Sequence, residues 1–225
     1  MTEEISNSKM PSVKDKYELL IKARNFHYEN YSKWMTYFYV AISALFVSYY
    51  TVISKDKVFP DQALFEIAIL ILGFTISLLW FWSAKGYYYW NINFMVLIHY
   101  YEKDIFQWPK EERIYAVFAN KQLQNDYSSP VKGANISTSK VAILFAWIIT
   151  AFWGFLLFFK LFSFLFYKFV IMCDCEREFK YLVMLFAAFA SVFSIWFLCE
   201  TIPEKLLYSK IDHLPDLQLS QETEK

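Results

Sequence analysis

The chain has 225 residues, of which 57% are hydrophobic and 22% aromatic, and it carries 22 basic and 22 acidic side chains. A soluble domain of this length would struggle to hide so much apolar surface from water, so the composition favours a membrane protein. The formal net charge of zero excludes the overall basic footprint with which proteins bind nucleic acid, and we expect no direct nucleic-acid binding.

The first 33 residues are predicted to form a cytoplasmic tail followed by an amphipathic lead helix. From Val13 to Lys33, apolar residues such as Tyr17, Leu20 and Tyr31 are interspersed with charged residues at helical spacing. No break separates this segment from the first uncharged stretch, so we expect the lead helix to run straight into the membrane.

Four uncharged stretches of 18 to 20 residues follow: Trp34–Ile53, Ile67–Ala84, Val141–Phe159 and Tyr181–Cys199. At about 1.5 Å per residue, each matches a hydrocarbon core of about 30 Å. A soluble bundle is disfavoured because too little amphipathic chain remains to cover four apolar helices. The sequence predicts an all-α polytopic membrane protein with about four transmembrane helices and a helical cytoplasmic layer.

The first part of the second loop is partly apolar. Trp90, Phe94, Leu97 and Tyr101 recur at helical spacing, which predicts that the second span continues into the cytoplasm. An apolar face in water needs a partner, so these four residues are the predicted interface of a homo-oligomer. Pro109 and the acidic residues after it are typical of a further helix start, with that helix expected to fade near Asn125.

These elements divide the chain into five segments. Residues 1–33 are the tail and lead helix, and residues 34–84 the first pair of spans. Residues 85–140 are the cytoplasmic helical region, residues 141–199 the second pair of spans with an apolar connection, and residues 200–225 a cytoplasmic tail. Within the connection, Leu161–Met172 either extends the third helix or bends into the membrane interface, where Lys160 and Lys168 can snorkel.

No catalytic, cofactor-binding or metal-binding residues are predicted, and no cofactor is expected. His27, His99 and His213 lie in different segments, and the four glycines are isolated, which excludes a phosphate-binding loop. Cys173 and Cys175 fall short of a zinc site unless several subunits contribute. We therefore expect no enzyme activity.

The spans themselves contain hydroxyl groups and two glycines but no carboxylate and no basic residue. This pattern disfavours a proton relay or an ion-coupled carrier. Gly73 and Gly154 are predicted to be points of close helix approach, although a pore between subunits stays open as an alternative.

Two stretches resemble the RipA-like family of oligomeric bacterial membrane proteins. They run from Tyr17 through the lead helix into Trp34, and from Leu79 to Glu102, where Ile98-His99-Tyr100-Tyr101-Glu102 is similar to an Ile-His-x-x-Glu ending. The resemblance covers about residues 14–106. His99 and Glu102 are the matching residues.

The four-span plan further resembles the small membrane accessory protein of type VI-B CRISPR systems. That resemblance implies a role in antiviral defence as a partner of an RNA-guided ribonuclease effector, rather than an enzyme activity. The plan is also similar to four-span sensors of phage-defence systems, and a channel-like oligomer or a host-adaptation protein is the alternative.

Five basic residues of the lead helix are the predicted contact surface for such an effector or for anionic lipid: Lys14, Lys16, Lys22, Arg24 and Lys33. Lipid contact is the more ordinary interpretation of these charges.

The distribution of Lys and Arg predicts the orientation in a bacterial inner membrane. Six precede the first span, seven lie in the second loop and three follow the last span, against two and four in the other loops. By the positive-inside rule both termini are cytoplasmic.

Alkaline phosphatase fused to the C-terminus is therefore expected to be inactive, because the enzyme folds only outside the cytoplasm. A fusion in the first loop serves as the positive control. High activity of the C-terminal fusion would contradict the orientation.

Overall fold

The computed structural model describes residues 11–54, 61–114, 137–173 and 177–202. Four long helices account for most of these residues: α1 (Val13–Ile53), α2 (Gln62–Tyr100), α3 (Thr138–Cys173) and α4 (Arg177–Ile202). Over the described ranges there is no β-strand. The predicted all-α class is confirmed.

Helix α1 begins at a complete capping box. The Ser12 hydroxyl accepts a hydrogen bond from the Asp15 backbone N–H (3.2 Å), and the Asp15 carboxylate accepts one from the Ser12 N–H (2.9 Å). From there 41 residues continue without interruption to Ile53, a length of about 60 Å at the usual helical rise. The lead helix and the first span are therefore one helix, as predicted.

Helix α2 also exceeds the thickness of a bilayer. Its 39 residues are followed by a π-helical turn, Tyr101–Ile105, and a short 3₁₀ turn, Lys110–Glu112, comes after Pro109. The predicted continuation of the second span as a helix to Tyr100 is confirmed, and its cytoplasmic position stays a prediction. The predicted helix start at Pro109 was wrong, because the 3₁₀ turn is followed by Arg113 in an extended conformation. The rest of the helix predicted to continue to about Asn125 lies outside the described residues.

Three helical segments are long and apolar enough to cross a membrane: Val13–Ile53, Gln62–Ile105 and Thr138–Leu165. The apolar part found in α4, Met184–Glu200, is shorter. Helix α3 runs unbroken to Cys173, so of the two alternatives for Leu161–Met172 the continuing helix is the observed one. Cys175 and the C-terminal tail lie outside the described residues.

The chain divides into two compact units, of which the first comprises Met1–Lys55 and Leu79–Ile148. Its membrane part is organised around Trp80, which is fully buried and donates its indole N–H to the Met35 sulfur at 2.9 Å. The rings of Tyr39 and Phe145 meet Trp80 edge-on at 4.9 and 5.6 Å between centroids. Aromatic residues thus supply much of the packing around Trp80.

The second unit, Asp56–Leu78 and Ile149–Lys225, is held by close helix approach. A Cβ added to Gly73 would lie 2.4 Å from the Trp153 ring, and one added to Gly154 would lie 2.7 Å from Phe74. The Thr150 hydroxyl donates to the Ser77 carbonyl at 2.8 Å across the same contact. The predicted role of both glycines is confirmed.

An ion pair that was not predicted joins α2 to α3 in this unit. Lys160 pairs with Glu66, each lying one residue outside the predicted spans. Lys160 thus neutralises a carboxylate of the neighbouring helix, and its snorkelling toward the membrane surface stays a prediction.

Replacing Gly73 with alanine is expected to destabilise the second unit, because the new methyl group would overlap the Trp153 ring. Overpacking of this kind typically costs about 1–3 kcal/mol. Thermal unfolding in detergent measures the effect as a lower midpoint. The matched control is Ala68→Val, which adds volume at an exposed position of the same helix. Equal midpoints for the two variants would contradict the close contact.

Candidate functional site

Outside the membrane, α1 and α2 form an antiparallel pair joined by stacked rings. The Tyr87 ring lies between Tyr31, at 3.6 Å and nearly parallel, and His27, at 4.9 Å. His27 and Tyr31 are one turn apart on α1, so both face the same side chain of α2. Phe94 extends the contact, with its ring 5.6 Å from that of His27.

The polar atoms of this stack are enclosed. The His27 Nε2 and the Tyr31 hydroxyl are buried and have no hydrogen-bond partner in the described structure. Burial raises the pKa of Tyr31 to about 12, and the neighbouring Tyr87 and Tyr39 add to the shift. The Tyr31 phenol therefore stays protonated throughout the physiological range.

The far end of the pair is closed by Glu102, which is fully buried. Its carboxylate accepts a hydrogen bond from the Tyr17 hydroxyl at 2.8 Å and one from the Ile114 backbone N–H at 3.1 Å. Its backbone carbonyl accepts from the Trp108 N–H at 2.9 Å. One glutamate thus joins α1, the end of α2 and the segment that follows it.

The backbone conformation at the C-terminal end of α2 brings these groups together. The Phe106 N–H bonds to the Tyr101 carbonyl at 2.8 Å, which closes the π-helical turn. Gln107 then adopts a left-handed conformation (φ 55°) that reverses the chain. The Arg113 Nε donates to the Trp108 carbonyl at 2.9 Å and fixes the returning segment.

Aromatic rings surround the Glu102 hydrogen bonds and keep water away. The Tyr17 ring is 5.2 Å from Phe106 and 5.8 Å from Trp108, edge-on to both, and 6.1 Å from Tyr101. Phe106 and Trp108 stack on each other at 5.2 Å. Hydrogen bonds to a carboxylate are stronger in such a dry setting than at the surface.

The four predicted interface residues do not share one environment. Phe94 and Tyr101 contact α1 of the same chain, whereas Trp90 and Leu97 are exposed. The pattern that indicated an oligomer interface therefore arises partly from the contact within the chain. Their role between subunits stays a prediction.

The five basic residues are likewise separated. Lys14, Lys16, Lys22 and Lys33 are exposed, and Arg24 is half-buried with its Nη2 2.7 Å from the Asn25 side-chain oxygen. At about 100° per residue, these positions point to different sides of α1, so they do not form one basic face.

Of the two motif residues, Glu102 is buried and His99 is exposed. Ile98, one turn before Glu102, is fully buried, so the motif places an apolar and an acidic residue on the side facing α1. The sequence signal for this site was Glu102 itself, an acidic residue four positions after Ile98 on the apolar side of α2. Nothing in the sequence indicated Tyr17 as its partner.

Among the described residues, no three His, Cys, Asp or Glu side chains are close enough to hold a metal ion. The arrangement of α1 and α2 is suited to holding two helices together beyond the membrane. The buried side chains between α1 and α2 fix the conformation of the pair. The outer faces of both helices are left exposed.

These features define an all-helical membrane protein with a long α1–α2 pair that extends beyond the bilayer. The sequence profile of the octameric membrane protein family (8xMP) matches residues 14–162, well over half of the chain, so the protein belongs to this family. Membership confirms the predicted membrane location and self-association. Comparisons with curated proteins and with solved structures gave no match.

Glu102→Ala is expected to release the segment after α2, because it leaves the Tyr17 hydroxyl and the Ile114 N–H without their acceptor. Each buried unpaired group costs about 1–3 kcal/mol. Amide hydrogen exchange at Ile114 should become faster. Glu102→Gln, which keeps one acceptor oxygen, should have a smaller effect.

Asp104→Ala is the matched control, since this carboxylate is on the same turn and about half exposed. If Asp104→Ala accelerated exchange at Ile114 as much as Glu102→Ala does, Glu102 would have no special role.

Proposed function

We propose that the protein acts as a non-enzymatic homo-octamer in the bacterial inner membrane, with both termini and the α1–α2 extensions in the cytoplasm. Membership of the octameric membrane protein family is the observation that carries the subunit number. The lysine and arginine distribution supports the orientation. Eight copies would concentrate sixteen helical extensions into one cytoplasmic layer.

The absence of enzyme activity rests on the sequence, in which no nucleophile, base or phosphate-binding motif is assembled. In the described structure, the buried acid Glu102 already accepts hydrogen bonds from Tyr17 and Ile114. A carboxylate occupied in this way supports a structural role better than acid–base chemistry.

For the biological role, the proposal is an accessory of RNA-guided antiviral defence of type VI-B, supported by the resemblance in membrane plan. An effector would meet the cytoplasmic layer formed by the lead helix and the extension of α2. The alternative is an octameric channel, which the family name favours because a ring of subunits leaves a central axis.

Native mass spectrometry of the protein released from detergent is expected to show eight copies of the 26.9 kDa chain. The mass distribution at several protein concentrations separates a specific octamer from random aggregation. A monomer at every concentration would contradict the proposed assembly.

Deleting the gene is expected to change phage plating in cells that carry a matching RNA-guided ribonuclease and guide. Complementation with the intact gene is the control. Equal plating with every guide would overturn the accessory role, and ion flux through the octamer in liposomes would then support the channel.

A further inference from the structure

Each helix of the α1–α2 pair has a second, partly apolar stripe, on the side away from its partner. We propose that the stripe on α1 of one subunit packs against the stripe on α2 of the next, and that this contact builds the cytoplasmic ring. The inference rests on the proposed octamer and adds its interface.

The α1 stripe follows spacings of four and three residues, the repeat of a coiled-coil seam. It consists of Leu19, Ala23, Phe26, Asn30 and Lys33. Leu19 and Phe26 are 66% and 65% exposed although they lie before the first span, where the surroundings are water. The stripe on α2 has the same spacing and consists of Gly86, Tyr89, Asn93, Val96 and Tyr100. Tyr89 and Val96 are 56% and 59% exposed.

Gly86 is an independent sign of a neighbour on the α2 stripe. A glycine inside a helix costs about 1 kcal/mol relative to alanine, so it usually reflects a close approach. Among the described residues, none lies within 4 Å of a Cβ added at Gly86, in contrast to Gly73. The open space beside Gly86 is therefore available to a neighbouring subunit.

The two stripes differ, so the contact joins unlike faces. Unlike faces produce rings or filaments, whereas a contact of one face with itself produces a dimer. A ring of eight therefore requires the kind of contact that the α1 and α2 stripes offer.

The subunits of the proposed ring are related by rotation about the membrane normal, so the same residue lies at the same height in every subunit. The heights within one subunit therefore fix the register between neighbouring subunits. In the chain, Tyr17 meets Glu102, Tyr31 meets Tyr87 and Met35 meets Trp80, so residues at one height have numbers that add to about 118. Phe26 is therefore level with the space between Tyr89 and Val96, beside Asn93. Leu19 is level with Tyr100.

The same register places Lys33 opposite Gly86, where the missing side chain leaves room for a lysine. Phe26 and Lys33 of α1 thus face the smaller residues Asn93 and Gly86 of α2, whereas Leu19 faces Tyr100.

Charges beside the stripes are complementary. At about 100° per residue, Glu29 lies on one flank of the α1 stripe, and Lys85 lies on the corresponding flank of the α2 stripe. The heights of these two residues differ by about one helical turn. Lys85 lies 5.4 Å above the Phe81 ring and is exposed.

Cysteine cross-linking between differently tagged copies tests the register in membranes. The background replaces Cys173, Cys175 and Cys199 with serine and is first shown to assemble as the natural protein does. Phe26→Cys in one copy and Asn93→Cys in the other should give a mixed disulfide. Leu19→Cys with Tyr89→Cys is the matched control, since those positions are offset by about 15 Å along the helix and should give none.

Charge reversal provides a test that keeps the natural cysteines. Glu29→Lys should reduce the octamer to smaller species, and adding Lys85→Glu to the same chain should restore it. Glu112→Lys, the same reversal in the 3₁₀ turn away from both stripes, should leave the octamer intact.

The outcomes separate the interface from the octamer itself. If the natural protein is octameric but the mixed disulfide is absent, or Phe26→Cys alone links two copies, the interface is overturned and the octamer stands. Free reaction of the cysteine at position 26 with a water-soluble maleimide in the octamer would equally overturn the interface. A monomeric natural protein would overturn both.

Discussion

The contact between the lead helix and the end of α2 determines how this protein extends beyond the membrane. Where two helices leave a bilayer side by side, lipid no longer surrounds them. Contacts between their own side chains must therefore hold them together. Tyr17, 85 residues before Glu102 in the sequence, donates the hydrogen bond that closes the far end of the pair. The stack of Tyr31 on Tyr87 closes the near end.

A buried glutamate is an expensive way to make this connection, because removing a carboxylate from water costs several kcal/mol unless its oxygens are hydrogen-bonded. Here the Tyr17 hydroxyl and the Ile114 backbone N–H donate hydrogen bonds to those oxygens. Four aromatic residues exclude water from them. The arrangement therefore favours one conformation: any shift of α1 along α2 would remove the Tyr17 hydroxyl from the Glu102 carboxylate. A fixed register within each subunit is a precondition for a regular register between subunits.

Much of this architecture could be predicted from sequence, because uncharged stretches and helical spacing reflect physics that acts along the chain. Trp34–Ile53 and Val141–Phe159 lie in observed helices, and Gly73 and Gly154 were correctly identified as close contacts. The pairing of Tyr17 with Glu102 and of Lys160 with Glu66 depends on which helices meet, which no local pattern contains. For the same reason, the interface predicted from Trp90, Phe94, Leu97 and Tyr101 includes residues that contact α1 as well as residues that are exposed.

The central claim is that α1 and α2 leave the membrane as one rigid antiparallel pair and that the pairs assemble into a ring. Electron cryomicroscopy of the purified protein in detergent tests this most directly. We predict eightfold symmetry and paired helical densities that project about 30 Å from the micelle, the length of the 21-residue segment from Val13 to Lys33. Lead helices lying flat on the micelle, separated from α2, would contradict the account.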